Sequence, residues 1–490
     1  MYASDWQPSK QKVENKLDEM TDTFQQAVHL LWNLCESNST ALKYFNQGNL
    51  LPVLAKCLEV SIFGIDTAIV VAHCLHTVTE ENPTAVAKLQ DSNLIIQNLL
   101  QLEGSEYSVL LLRTLACGLV LDLSYGKLSS LAPPVVTELL CNLSNILSVD
   151  HRKTLNAFTS TLPLDGETET SAQHEELLKS IKEMQYLLEA QQVAIELLAN
   201  ICSSDDADEK MDEDTSDVSS DEIISDIVLE AIVSGSLVLK VWEKTRLPAE
   251  NVCQILNEHS EGKHLLNKLE TLRCRALLCL NNLLAALDMQ YLGGPLQVHE
   301  MFNNIVDTLH KEKDSGKVEF LESATSALRA TLQKLAEFQF IDLNLTEEDL
   351  QSTFDTHREC PFPNVRSNLL RSIGLLGMNY SKSMVDDSQA KLRMVGEYLL
   401  YVCTRESELW VVAEAVDAIM DIFGEDCTDL AAAQIGLVEK LRVLLAPLKN
   451  KARLQRKSLG DHYLVVSTVN ANLGRFIKYK SERISLIGSQ

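Results

Sequence analysis

An all-α chain of repeated helical hairpins is what this sequence predicts, on three observations. The first is a recurring apolar stripe at i, i+3, i+4 and i+7, the spacing that lines one face of a helix. It starts at Ala27, Ala68, Leu112, Ala194, Ala276, Leu328, Leu369 and Ala415. Two of the gaps are double-length; with one weaker repeat allowed in each, the spacing averages about 43 residues, the period of stacked armadillo or HEAT hairpins. The second is composition: 46% of residues are hydrophobic but only 6% aromatic, and 11 prolines and 19 glycines in 490 residues are too few for a turn-rich sandwich. The third is punctuation, because breakers fall between stripes at Gly48-Asn49, Asn82-Pro83, Pro133-Pro134, Gly293-Gly294-Pro295, Pro361 to Pro363 and Gly424. The predicted fold is an armadillo/HEAT-type α-solenoid, a right-handed superhelix of helical hairpins with a disordered acidic insertion.

Taken in order, the first stripe is Ala27, Leu30, Leu31 and Leu34, with Asn33 at i+6 and Cys35 at i+8. Ala194, Leu197, Leu198 and Ile201 repeat the pattern with Asn200 and Cys202, and Ala276, Cys279, Leu280 and Leu283 repeat it with Asn282. The i+6 position sits at the border of the buried stripe, where an amide either braces a neighbouring helix or faces a groove and holds an extended peptide. Armadillo receptors for basic localisation signals place Trp four residues ahead of each such Asn. Those positions here are His29, Glu196 and Leu278, so that array is absent. Trp32 and Trp410 read equally as groove anchors or as core. His73 and His76 share a helical face beside Cys74, but no carboxylate or second Cys joins them nearby, so they read as partnered or exposed histidines rather than metal ligands. Residues 150–175 are polar and rich in Thr and Ser, and read as a loop or insertion.

The helix carrying Ala194 feeds into the run Asp205, Asp206, Asp208, Glu209, Asp212, Glu213, Asp214, Asp217, Asp221 and Glu222. With only Val218 and Met211 to bury, it is expected to stay unfolded and solvated. It is either a spacer or a flexible clamp for a basic ligand, fast to engage and salt-sensitive. The division predicted is 1–204 armadillo-like repeats, 205–222 acidic loop and 223–490 HEAT-like repeats with a basic C-terminal cap. Asp417 and Asp421, at i and i+4, could pose as catalytic carboxylates but read better as the solvated or groove-facing side of a repeat helix. From Lys449 to Arg483 nine Lys or Arg face only Asp461 and Glu482. This stretch is either the solvated outer face of a capping helix or an RNA-facing or acid-binding patch.

The formal charge is −26, of which the ten carboxylates and Lys210 of the acidic run supply −9, leaving −17 for the rest. Phosphates need Lys and Arg to displace their counterions, so direct nucleic-acid binding by the body is disfavoured and basic proteins are the better partner class. Twelve scattered Cys without a CxxC pair read as buried thiols of a reducing compartment. No signal-like or membrane-spanning apolar run is present, so cytoplasm and nucleus are expected, with no membrane partner. No P-loop, dinucleotide fingerprint, nucleophile elbow or HExxH appears. No enzyme activity and no cofactor are expected.

VHLLWNLCESNS, VVAHCLHTVTEENP, LEAQQVAIELLANIC followed by acids, RCRALLCLNNLLAALDMQYLGG, VRSNLLRSIGLLG, VVAEAVDAIMDIFGED and NLGRFIKYKSER, in that order, resemble the symportin family. The resemblance implies a nuclear-import adaptor and dedicated chaperone for the two 5S rRNA-binding ribosomal proteins of the large subunit, numbers five and eleven, serving 5S ribonucleoprotein and 60S assembly. It further implies an inner groove for the N-terminal peptide of the first cargo, an acidic insertion for the second, and travel with a transportin-type karyopherin. Asp205 to Glu222 occupies the position of that insertion. The front end departs from the pattern, because the family's basic arm with its karyopherin signal and first repeats has no counterpart ahead of Ala27. The alternative is a general armadillo/HEAT interaction scaffold with no ribosomal cargo.

Overall fold

The computed structural model describes residues 19–162, 171–203, 225–338, 345–383 and 385–487. Helices and short 3-10 turns are the only regular elements among them, and the chain is an all-α solenoid in two compact units, Met1–Ala286 and Leu287–Gln490.

In the first unit five helices pack side by side as rungs: α1 Glu19–Ser37, α2 Ile65–Thr79, α3 Tyr107–Leu123, α4 Ser171–Ile201 and α5 Ser260–Ala286. Shorter helices, among them Pro83–Leu89, Asn93–Leu100 and Pro133–Ser148, cover one side of the rungs. A middle rung is therefore enclosed on three sides, which explains why α3 (YSVLLLRTLACGLVLDL) is apolar almost all round and buries Leu110 to Leu112 and Leu115 to Leu121. The stripes at Ala68, Leu112 and Ala276 are fully buried, and so are Ala194, Leu197 and Leu198. Each Val or Leu so placed contributes about 1.5–3 kcal/mol. Spacing between rungs is also set by absence: a Cβ on Gly118 of α3 would lie 2.9 Å from the His76 ring of α2.

The first stripe is out of phase with this pattern. On α1 the buried residues are Phe24, Val28 and Cys35, while Leu30 and Leu34 are 61% and 46% exposed. The helix has two apolar sides, and the contact with α2 uses the one that begins a residue later than Ala27. Residues His151–Thr159, within the polar stretch read as a loop, form a helix capped by Asp150, whose side chain accepts from Arg152 and Lys153 N–H. Its polar exterior conceals a buried side of His151, Leu155 and Phe158.

The second unit repeats the plan with α6 Val318–Glu337, α7 Pro363–Ser381, α8 Leu409–Ile422 and α9 Tyr463–Ile487 as rungs, covered by Glu347–Glu359, Asp386–Arg405 and Leu437–Gln455. The stripes at Leu328, Leu369 and Ala415 are buried apart from Ala418. Punctuation works as read: Gly293 and Gly294 take φ of 90° and 86° ahead of Pro295, the first residue of a helix. Thr346 and Asp349 form a reciprocal capping box. Two of the nine C-terminal cations are tied inward. Lys480, fully buried, places its Nζ 2.5 Å from Asp429 Oδ1 and donates to the Glu425 carbonyl, and Arg483 Nε lies 3.0 Å from Asp429 Oδ2.

All twelve Cys are free, eight of them buried and only Cys141 and Cys427 exposed. No helix among the described residues is long and apolar enough to cross a membrane.

Candidate protein-binding face of the ladder

The side of the first-unit rungs left free by the covering helices carries polar residues at intervals of three, four or seven, which place them on one helical face. On α2 these are Asp66, His73 and His76; on α4 they are Lys182, Tyr186, Glu189, Glu196 and Asn200; on α5 they are Lys268, Arg275 and Asn282. Side chains of α2 and α4 meet across the intervening α3. Lys182 Nζ lies 2.8 Å from Asp66 Oδ2, the Tyr186 hydroxyl donates to Asp66 Oδ1 at 2.6 Å, and His73 Nε2 lies 3.0 Å from Glu189 Oε1. The small Gly118 on α3 leaves room for the His76 ring, whose Nδ1 is 2.7 Å from Asp122 Oδ2. Toward α5, Lys268 reaches Glu189 at 3.7 Å and Arg275 reaches Glu196 at 3.2 Å. At the other end, Trp32 of α1 stacks on His73 with centroids 4.6 Å apart and planes 10° apart.

These contacts set the protonation states. Burial alone would raise the Glu189 carboxyl, but the His73 hydrogen bond and charge and the Lys268 ammonium hold it down at about 2. Burial works against the His76 imidazolium too, and the Asp122 carboxylate outweighs it, raising that histidine above its ordinary value. Burial, and then the Asp66 hydrogen bond, raises the Tyr186 hydroxyl, so it stays protonated and donating.

Sequence reading located this face only in part. Asn282 is half-buried and donates to the Ala199 carbonyl at 3.1 Å, so it braces α5 on the end of α4 beside Asn200. Asn200 is exposed at the end of the same row. Asn33 does not join them, because it lies on the exposed side of α1 with Leu30 and Leu34. The acidic residues Asp205 to Glu222 lie outside the described residues. His73 and His76 are each partnered by a carboxylate, and among the described residues no group of three or more His, Cys, Asp or Glu could hold a metal. Asp66, Lys182, Tyr186, Glu189 and Lys268 were missed. The available signal was polar residues recurring at three, four or seven positions, on one side of each rung.

The corresponding face of the second unit is organised differently. Arg371 grips Glu414 through both its Nε and Nη2, and Arg366 holds Glu406 with two bonds of 2.9 Å. Asn368 donates to the Glu322 carbonyl and to Thr325 Oγ1. Asp417 is part-buried and Asp421 exposed on α8, both raised by partial burial and, for Asp417, by the neighbouring carboxylates of Asp421 and Glu414. Trp410 stacks on His462 at 4.0 Å.

A family model described as SYO1-like, TPR repeats, matches residues 226–484. HEAT repeat-containing protein 3 of Mus musculus is 28% identical over 530 aligned positions, covering 96% of this chain and 78% of its own length. HEAT repeat-containing protein 3 of Homo sapiens is 28% identical over 537 positions, covering 97% and 77%. The crystal structure of Kap121p bound to Nup53p aligns with 96% of this chain and 55% of its own, at 12% identity and a TM-score of 0.27.

Proposed function

The chain belongs to the SYO1-like, or symportin, family, and from that premise we propose that it is an import adaptor and dedicated chaperone for the 5S rRNA-binding large-subunit ribosomal proteins five and eleven. Its helical-repeat fold and family point to a non-catalytic scaffold. The observation that carries the cargo reading is the dense acidic run Asp205 to Glu222, placed where the family keeps its acidic insertion. A tethered polyanion neutralises a basic, aggregation-prone ribosomal protein and speeds its capture. The polar face of α2, α4 and α5 supplies a second surface, on which Asp66, Glu189 and Glu196 are carboxylates already placed to pair with cations. A basic extended peptide would exchange its own Lys and Arg for Lys182 and Arg275. The proposal includes residence in cytoplasm and nucleus and, with cargo bound, recognition by a transportin-type karyopherin.

The test is binding of the purified chain to each of the two ribosomal proteins, separately and together, across a salt series. One-to-one binding that weakens steeply with salt, and a shallower slope after deletion of Asp205 to Glu222, is expected. Absence of binding at low salt would overturn the cargo reading, and binding unaffected by the deletion would remove the acidic run from it.

A further inference from the structure

The two most exposed large apolar side chains among the described residues are Leu454 and Val443, at 79% and 78%, and both lie on the Leu437–Gln455 helix. That helix buries Leu437, Val438, Leu441 and Leu448 on its inner side. At 3.6 residues per turn, Val443, Pro447 and Leu454 fall within about 40° of one another on the outer side, a ridge about 16 Å long. Pro447 adds apolar surface to the ridge and has no N–H to give the Val443 carbonyl, which leaves an acceptor there. Lys440 and Lys451 border the ridge on one side, and Arg442 and Arg453 stand on the other, with Lys449 beyond. Glu439 is the only acid in the helix. None of Lys440, Lys449, Lys451 and Arg453 has a carboxylate partner among the described residues, and Arg442 donates to Ser481 Oγ at 2.7 Å. In a chain of charge −26 this is a local inversion of sign around an apolar strip.

We propose that this face docks an acidic amphipathic helix of a partner protein, its apolar side on Val443, Pro447 and Leu454 and its carboxylates on the flanking Lys and Arg. Charge complementarity chooses the sign, and the ridge chooses the class. Phosphodiester backbones match the cations but leave two aliphatic side chains uncovered, and single strands of RNA or DNA are held by stacking on rings. The nearby Tyr463 ring lies under the Arg456 guanidinium, 5.3 Å from its centroid. The chain's own acidic run has the charge but, beyond the small Ala207, only Met211 and Val218 as apolar residues. A single helix against a single helix covers less than a standard interface, so the association is a transient one. The site takes acids where the proposed cargo function takes bases, so either reading stands without the other.

The probe is a fluorescently labelled peptide with leucines at i, i+3, i+4, i+7 and i+11 and glutamates on both flanks, titrated into the full chain and followed by anisotropy. Saturable binding is expected, at least about tenfold weaker for a scrambled peptide of the same composition. A similar loss is expected with Val443→Asp/Leu454→Asp or with Lys440→Glu/Lys451→Glu/Arg453→Glu. These substitutions are at the surface, so helical circular dichroism and binding of the ribosomal proteins are expected to stay as in the parent chain. Equal binding of the scrambled peptide, tighter binding of an oligouridine of matched charge, or no binding of the designed peptide would each overturn the proposal.

Discussion

The two units tie their rungs together with ion pairs, but of opposite character. In the first unit the outermost pairs stand largely in solvent: Lys182 and Asp66 are 50% and 46% exposed, and Arg275 and Glu196 are 43% and 40%, while His73–Glu189 and His76–Asp122 between them are more enclosed. In the second, at least one member of each principal pair is buried, as in Arg366–Glu406, Arg371–Glu414 and Lys480–Asp429. Screening makes the first kind worth little to stability, while the second kind is expensive to break because its loss strands a charge in low dielectric. A ligand can therefore replace the Lys182–Asp66 and Arg275–Glu196 pairs of the first unit at small cost but not the fasteners of the second. The same residue types thus serve as an exchangeable surface in one place and as fasteners in the other.

The sharpest way to break this contrast is Asp429→Ala, which leaves the fully buried Lys480 without its carboxylate. A loss of about 3–5 kcal/mol is expected, visible as collapse of hydrogen-exchange protection in α9 and its neighbours while the first unit keeps its own. Pairing Asp429→Asn with Lys480→Met should recover much of that loss, since a neutral, well-packed replacement removes the stranded charge. If the single substitution cost no more than an exposed pair does, the fastener reading would be wrong.

A smaller effect concerns pH. In the second unit His357 is buried, with Nδ1 2.8 Å from the Tyr398 hydroxyl and Nε2 without a hydrogen-bond partner among the described residues. Burial lowers its pKa to about 4. The folded state therefore refuses a proton that the unfolded chain accepts near 6.5. Stability is fully present above that value and is lost as pH falls from 6.5 towards 4, by about 2 kcal/mol at pH 5. Urea midpoints at pH 7 and pH 5 should differ less in His357→Gln than in the parent chain; equal pH sensitivity in the two would count against a neutral buried ring. The first unit has a counterpart in His151, also held near 4 by burial, but its His76 is shifted upward by Asp122 and gains stability in acid. Its acid sensitivity above pH 4.5 is therefore partly offset. Glu189, held at about 2, withdraws its own contribution only as pH falls from 4.5 towards 2.

The contrast also explains what was legible in the chain. Stripes such as Ala68, Val71, Ala72 and Leu75 declare a buried face because periodicity is local and the core needs it. The same logic misassigned α1, where Ala27, Leu30 and Leu34 satisfy the period as well as Phe24, Val28 and Cys35 do, and only the neighbouring α2 decides which side is covered. Asn33 moved off the face with that one-residue shift. Asp66 and Lys182 were unreadable as a pair because they are 116 positions apart and meet only through the stacking of three rungs. Nor did the sequence distinguish Lys480 and Arg483, which are fasteners, from Lys449 and Arg453, which face solvent. All four look alike until Asp429 is placed beside two of them.

The smallest expected change in stability carries the most functional weight. Asp66→Asn with Glu196→Gln removes two exposed carboxylates from the first-unit face, and each should alter the unfolding free energy by no more than about 1 kcal/mol. If that face takes a basic peptide, the lost carboxylates are the groups its Lys and Arg would pair with. Affinity for the N-terminal peptide of ribosomal protein five, measured by anisotropy, should then fall several-fold and its salt dependence flatten. The paired cations supply the complementary arm: Lys182→Gln with Arg275→Gln frees the same carboxylates and should strengthen the peptide complex. An exchangeable surface requires the two double variants to move affinity in opposite directions, whereas a merely structural network would weaken the complex in both.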